Sequence, residues 1–181
     1  PKLHESSAIV GRVTRQAAEQ TNLKENTPVV AGAVDVVASL IGGGVIKAGQ
    51  AGSVLGTSFL NSLVSTQPTF QPKNTGVQTC MPDDLWVCSL VNTTGTLAIE
   101  WMLETIAKDI TGENRYDALA EVAQSAPVGS RGLIFLPYLS TAGIISPFAN
   151  AQARGQFFGL STEHGRAEMI RAVYEGLALA M

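Results

Sequence analysis

Apolar and polar positions change period several times along this chain, and each change marks an element. Ala8-Ile9-Val10-Gly11 is a short β-branched run, followed by Thr14-Arg15-Gln16-Ala17-Ala18-Glu19-Gln20, where a hydroxyl precedes helix formers. That order predicts a strand and then a helix capped by Thr14. Pro28-Val29-Val30-Ala31-Gly32-Ala33 is a continuous apolar run, the pattern of a buried strand. Asp35 follows at once, and Val36-Val37-Ala38-Ser39-Leu40-Ile41 predicts a helix running to Gly42-Gly43-Gly44. From Gly49 to Leu90 the period becomes that of strands. Two are expected around a Gly56-Thr57-Ser58 turn, and Thr75 to Cys80 with Leu85 to Val91 should form a second hairpin about Met81-Pro82-Asp83-Asp84.

Helical period returns at Leu97 to Ala107 and again at Tyr116 to Gln124. Gly132-Leu133-Ile134-Phe135-Leu136-Pro137-Tyr138-Leu139 predicts a buried strand with the proline at its exit. A loop from Ser140 to Arg154 leads to another strand, Gly155-Gln156-Phe157-Phe158-Gly159-Leu160, and residues 163–181 form the last helix. Strands interleaved with helices, without an internal repeat, give a mixed α/β fold in one unit.

Composition narrows the function classes. The 181 residues are 45% hydrophobic and only 15% charged, with a net charge of −3. Disorder needs the opposite balance, and a weakly acidic chain has no general attraction for nucleic acid or anionic membranes. Phosphate recognition, if present, must use backbone donors or a few placed side chains. The least charged stretch, Ala48 to Pro72, is broken by Gln, Ser, Thr, Asn and Gly, so no membrane span is expected there. Cys80 and Cys88 are too few for a disulfide scaffold. They flank the second hairpin turn and would either approach each other across it or remain reduced thiols, as in a cytoplasmic protein. The chain opens on Pro1 and closes within a helical pattern at Met181, as expected for a piece of a longer protein.

Two places carry candidate chemistry. Asp35, between an apolar strand and a helix, is placed either to cap that helix or to act as a functional carboxylate. In the second case it would take a proton from a substrate hydroxyl or orient a metal-bound phosphate. Gly56, Thr57 and Ser58 offer clustered backbone N–H groups and two hydroxyls, enough to hold phosphate oxygens, or else simply turn the chain. No GxxxxGK[ST] or GxSxG pattern occurs, which excludes a P-loop nucleotidase and a nucleophile elbow. His4 and His164 read as surface or capping residues, and Trp86 and Trp101 as core anchors.

In order and spacing, Pro28 to Asp35, Leu55-Gly56-Thr57-Ser58 and Gly132 to Leu139 together resemble the FGGY carbohydrate kinases. Gly155-Gln156-Phe157-Phe158-Gly159-Leu160, seven residues, then Glu168-Met169-Ile170-Arg171-Ala172-Val173-Tyr174-Glu175 resembles that family's C-terminal signature, and the likeness spans nearly the whole chain. It implies a ribonuclease-H-like fold of the actin-like ATPase type, a mixed sheet flanked by helices. Residues 1–28 would be the end of a first kinase domain and its linker, and 29–181 part of the C-terminal domain. It implies ATP with Mg2+ as cofactors and a sugar as the other partner, with no nucleic acid and no membrane. Asp35 matches the catalytic base, and Gly56, Thr57 and Ser58 match a phosphate-binding hairpin. Asp35-Val36-Val37 and Ser140-Thr141-Ala142-Gly143 look more like L-xylulose or 3-keto-L-gulonate kinases than glycerol kinases. Many members carry Gly-Glu-Arg-x-Pro after the Leu-Pro-Tyr strand, where this chain has the uncharged Ser140-Thr141-Ala142-Gly143. The residue before Trp101, often Gln or Asp beside the nucleotide, is Glu100 here, and Gly95 is displaced from the usual glycine. The remaining alternative is an actin-like nucleotide- or sugar-binding module without catalysis. The N-terminal phosphate loop and the adenosine motif are expected outside these residues, so the chain alone should phosphorylate nothing. Apolar area bared by a missing partner domain also makes self-association, as a homodimer, an expectation.

Overall fold

A computed structural model describes residues 4–69, 73 and 75–181. Its elements are β1 (Ile9–Arg12), α1 (Arg15–Thr21), β2 (Pro28–Val30), α2 (Asp35–Gly42), β3 (Ala51–Leu55), β4 (Phe59–Ser65), β5 (Val77–Met81), β6 (Leu85–Asn92), α3 (Leu97–Thr105), α4 (Arg115–Ser125), β7 (Ile134–Leu136), β8 (Gln156–Phe158) and α5 (Arg166–Leu179). Every element expected from the hydrophobic pattern is present, although residues 70–72 of the uncharged stretch lie outside the described residues. The strands form three sheets. β1 pairs with β2, β7 with β8, and the central sheet runs β3-β4-β6-β5, all antiparallel.

Local chemistry explains the boundaries. Thr14 caps α1 through its hydroxyl, which accepts from Ala17 N–H at 3.2 Å. Asn22 closes α1 in the left-handed conformation with φ of 59°, one that Asn tolerates better than most residues. In the second hairpin Asp83 and Asp84 both take positive φ, which reverses the chain between Met81 and Leu85.

Two apolar cores result. In the larger, Met102 and Leu103 of α3, Leu119 and Ala123 of α4, and Ile170 and Val173 of α5 close over Leu133 and Phe135. Ile170, Val173 and Gly176 recur at the three-residue spacing that gives α5 one buried stripe. Gly176 sits where a Cβ would come within 2.3 Å of the Phe135 carbonyl, so α5 lies directly on the β7 backbone. Trp101 stacks on Phe135 with ring centres 6.0 Å apart, the anchoring role its size suggested. In the smaller core Val37 and Leu40 of α2 pack on Val64, Met81 and Val87, one face of the central sheet. Ser62 and Ser89 are buried on that sheet and satisfy each other at 2.8 Å across β4 and β6.

One expectation is corrected, and one pair of alternatives is decided. β2 is not buried: Val29 and Val30 are exposed, as are Ile9 and Val10 opposite them, because no element among the described residues packs closely over the β1–β2 ribbon. An apolar run identifies a strand but not whether its cover lies on the same stretch of chain. Of the two alternatives for Cys80 and Cys88, the reduced thiols are found and the cross-strand approach is not. Cys80 faces Trp86 and Cys88 faces Gln78, and both thiols are free.

The signature on α5 performs structural work. Gly129, Ser130, Arg131 and Gly132 all have positive φ, from 47° to 88°, forming a left-handed turn just before β7. Ser130 and Arg131 would not hold this conformation unaided. Glu175 does so: it accepts from Gly129 N–H at 2.9 Å and from the Ser130 hydroxyl at 3.0 Å. Arg171 donates to Glu175 at 2.7 Å and to the Ala126 carbonyl at 3.1 Å. Glu168 reaches back to Gly165 N–H at the start of α5 and pairs with Arg131 at 3.2 Å.

Partial burial pushes the Glu175 carboxyl upward, but bonds from Gly129, Arg171 and Ser130 outweigh it and leave it below the usual glutamate range. Stability from this carboxylate is therefore complete above the unfolded glutamate value of about 4.3 and is lost as pH falls through its lower folded value. Glu175→Gln should lower unfolding stability at pH 7 by about 1–3 kcal/mol. Urea titrations from pH 7 to 3 should show the gap between wild type and variant closing only in the acid range.

Candidate active site

The Gly56-Thr57-Ser58 turn closes the β3–β4 hairpin, as its residues suggested. Leu55 and Phe59 pair across it, and Gly56 N–H donates to the Ser58 carbonyl at 2.9 Å. Its other polar groups are sorted by direction. The Thr57 carbonyl accepts from Gly95 N–H at 2.7 Å, and the Gly56 carbonyl accepts from Thr96 N–H at 2.9 Å. Both acceptors are thereby tied to the segment that opens α3. Thr57 and Ser58 N–H donate to no protein group among the described residues, and Thr57 is exposed. With its carbonyls engaged and the Thr57 and Ser58 amides free, the turn presents positive dipoles outward, the requirement for an anion cradle.

Gly95 makes this possible. A Cβ there would lie 2.3 Å from the Gly56 carbonyl oxygen and 3.0 Å from Ser58 backbone carbon. In the sequence Gly95 stands only as a glycine between a strand and a helix, in Thr94-Gly95-Thr96, and the turn it meets is distant along the chain.

Asp35 is the first residue of α2, with Val34 in the capping position and no side-chain cap present. Its Oδ1 accepts from the adjacent Val36 N–H at 2.8 Å. The carboxylate is exposed, and it makes no other hydrogen bond or ion pair among the described residues. α2 lies against β3, the strand leading into the turn, so both candidates belong to the same half of the chain. No direct bond joins Asp35 to Gly56, Thr57 or Ser58.

An apolar cleft of about 220 Å³ lies beside the turn, bounded by Gly56 and Phe59, by Gly95, Thr96 and Ile99, and by Tyr174 and Leu177 of α5. Burial pushes the Tyr174 phenol above its ordinary value. Glu100 is already engaged: it accepts from the Tyr116 hydroxyl at 2.5 Å and pairs with Arg115 at 3.5 Å, which ties α3 to α4. His164 is a turn residue, its Nδ1 accepting from Ser161 N–H at 3.0 Å.

Residues 51–181 match the pattern of the FGGY family of carbohydrate kinases, C-terminal domain. The chain belongs to the FGGY carbohydrate kinase family. It is 35% identical to a xylulose kinase of Escherichia coli over 183 residues, covering 100% of this chain and 36% of that protein. It is 32% identical to a gluconokinase of Bacillus subtilis over 182 residues, covering 97% of this chain and 35% of the relative. Among solved structures, ligand-bound xylulose kinase from Lactobacillus acidophilus superposes with a TM-score of 0.84 at 32% identity, over 98% of this chain and 35% of that one. Glycerol kinase from Plasmodium falciparum, 17% identical, shares the fold with a TM-score of 0.75 over 96% of this chain and 33% of that one. This FGGY chain thus has the actin-like ATPase fold and spans about a third of the length of the relatives it matches.

Gly95→Ala should displace the turn from α3, because the added carbon meets backbone and not a flexible side chain. A loss of about 1–3 kcal/mol in unfolding stability is expected. Backbone amide shifts at residues 56–58 larger than those in the β5–β6 hairpin would confirm that the strain is local.

Proposed function

We propose that this FGGY chain is part of an enzyme that transfers the terminal phosphoryl group of ATP to a hydroxyl of a ketose or polyol, with a pentulose such as L-xylulose favoured. Asp35 is the general base in this reading. It accepts the hydroxyl proton as the sugar oxygen bonds to phosphorus and the bond to the ADP oxygen breaks. Thr57 and Ser58 hold phosphate oxygens through their free backbone amides and their hydroxyls, and Gly56 turns the chain so that these groups face outward. The observation that carries the reading is the sorting of that turn, with its carbonyls bound to Gly95 and Thr96 and the Thr57 and Ser58 amides free.

Bound Mg2+ would neutralise charge on the phosphates, taking most of its ligands from phosphate and water. Asp35 is the carboxylate among the proposed site residues that such an ion would meet. Among the described residues no three His, Cys, Asp or Glu side chains stand together as a metal cluster. No helix among them is long and apolar enough to cross a membrane.

The division of labour is part of the proposal. Residues 1–28 belong to the end of the first kinase domain and 29–181 to part of the second, so the 181 residues alone carry no turnover. The likeness to gluconokinase supports a second reading of the acceptor, a sugar acid in place of a ketose.

The test uses the full-length protein, wild type beside Asp35→Asn, and follows ADP release from Mg-ATP. The panel holds pentuloses, hexuloses, keto-gulonate, gluconate, polyols and glycerol. One sugar or sugar acid should stimulate turnover, and the Asn variant should lose about 10²–10⁴-fold in kcat while still binding ATP. An unimpaired variant would remove Asp35 from the chemistry, and a panel without response would favour a binding module.

A further inference from the structure

Between β6 and α3 lies a four-residue segment, Thr93 to Thr96, that the proposed chemistry does not use, although it is bonded on two sides. Toward the phosphate turn, Gly95 and Thr96 donate to the Thr57 and Gly56 carbonyls. Toward the loop after β7, the fully buried Thr94 accepts from Ser140 N–H through its hydroxyl oxygen at 3.2 Å. Thr93 donates its hydroxyl to the Gly143 carbonyl at 2.9 Å. The preceding Val91 N–H donates to the Ser146 hydroxyl at 3.2 Å. Thr94 N–H is satisfied by the Asn92 side chain at 3.0 Å. The loop is itself compact: Ile144 and Asn150 exchange both backbone bonds, and a Cβ on Gly143 would meet the Asn150 carbonyl at 2.2 Å.

A loop built this way moves as one body, and whatever holds it fixes the segment it is held to. We propose that Thr94 is a positioning residue for the nucleotide phosphates. By anchoring the Ser140–Ser146 loop to the backbone immediately before Gly95, it sets where the Gly56-Thr57-Ser58 turn stands. The inference rests on the reading of that turn as a phosphate cradle. Thr94 acts through Gly95 and touches no substrate. Its buried hydroxyl is the one side-chain acceptor for Ser140 N–H, so removing it leaves that amide unpaired next to the cradle.

Thr94→Val keeps the shape and removes the acceptor, while Thr94→Ser keeps the acceptor and removes a methyl group. In the full-length protein, Thr94→Val should raise KM for Mg-ATP and the Kd of ADP, measured by calorimetry without sugar, by about three- to tenfold. KM for the sugar and kcat should stay within about twofold, and Thr94→Ser should stay near wild type. A Val variant that melts lower but binds ADP and ATP as wild type does would overturn the proposal, since a purely structural hydroxyl behaves that way. Equal losses in every kinetic constant for both variants would overturn it too. A wild-type protein that binds ADP without phosphorylating any sugar would overturn the kinase reading and leave the Thr94 comparison measurable by calorimetry. One that binds no nucleotide would overturn both.

Discussion

Two carbonyl groups decide the character of the Gly56-Thr57-Ser58 turn, the proposed phosphate cradle. Left free, the oxygens of Gly56 and Thr57 would line the tip of the hairpin with negative dipoles and repel any anion. Hydrogen bonds from Gly95 and Thr96 remove them from that surface, and the missing side chain at Gly95 lets the two backbones come close enough to do so. The contact also fixes the direction of α3 against the central sheet. α3 in turn carries Met102 and Leu103 into the larger core, where α4, α5 and β7 assemble around them. The cradle and the helical layer are therefore joined at a point where backbone meets backbone.

The charged residues of the α5 segment that resembles the family's signature bond elsewhere than at that turn. Arg171 and Glu175 span the end of α4 and the left-handed turn at Gly129 to Gly132, and Glu168 closes the start of α5 while holding Arg131. Charged residues at fixed spacing suggest chemistry, but their partners here are backbone groups and each other. Left-handed backbone at Ser130 and Arg131 is costly, and a half-buried carboxylate with three donors is strong enough to hold it. The charged residues of that segment thus hold the fold together and take no part in the proposed reaction.

Most of the fold was legible because its elements are marked locally. Thr14 announced α1, the glycines after Ile41 ended α2, and the change to alternating period at Gly49 announced the central sheet. Contacts made between distant stretches were not legible. Exposure of the β1–β2 ribbon depends on what packs against it, which an apolar run does not encode. Neither register nor hairpin geometry could be read from Cys80 and Cys88, since a shift of two residues separates a facing pair from a diagonal one. At the site, Asp35 and the Gly56-Thr57-Ser58 turn stood out by residue type. Gly95 and Thr94 did not, because a glycine's lack of a side chain matters only when its neighbour is known, and a buried threonine looks like any other.

Topology also orders assembly in time. The four strands of the central sheet lie within residues 51–92, and its three pairings join strands that are adjacent in sequence or separated by a single strand. Closures this short are entropically cheap, so the sheet is the part of the chain expected to organise early, with the β3–β4 tip already folded over. The helical layer needs β7 and α5, which arrive some 40 to 90 residues later. During synthesis the hairpin tip would therefore emerge with its carbonyls still solvated, and would present its free amides alone only after α3 has docked.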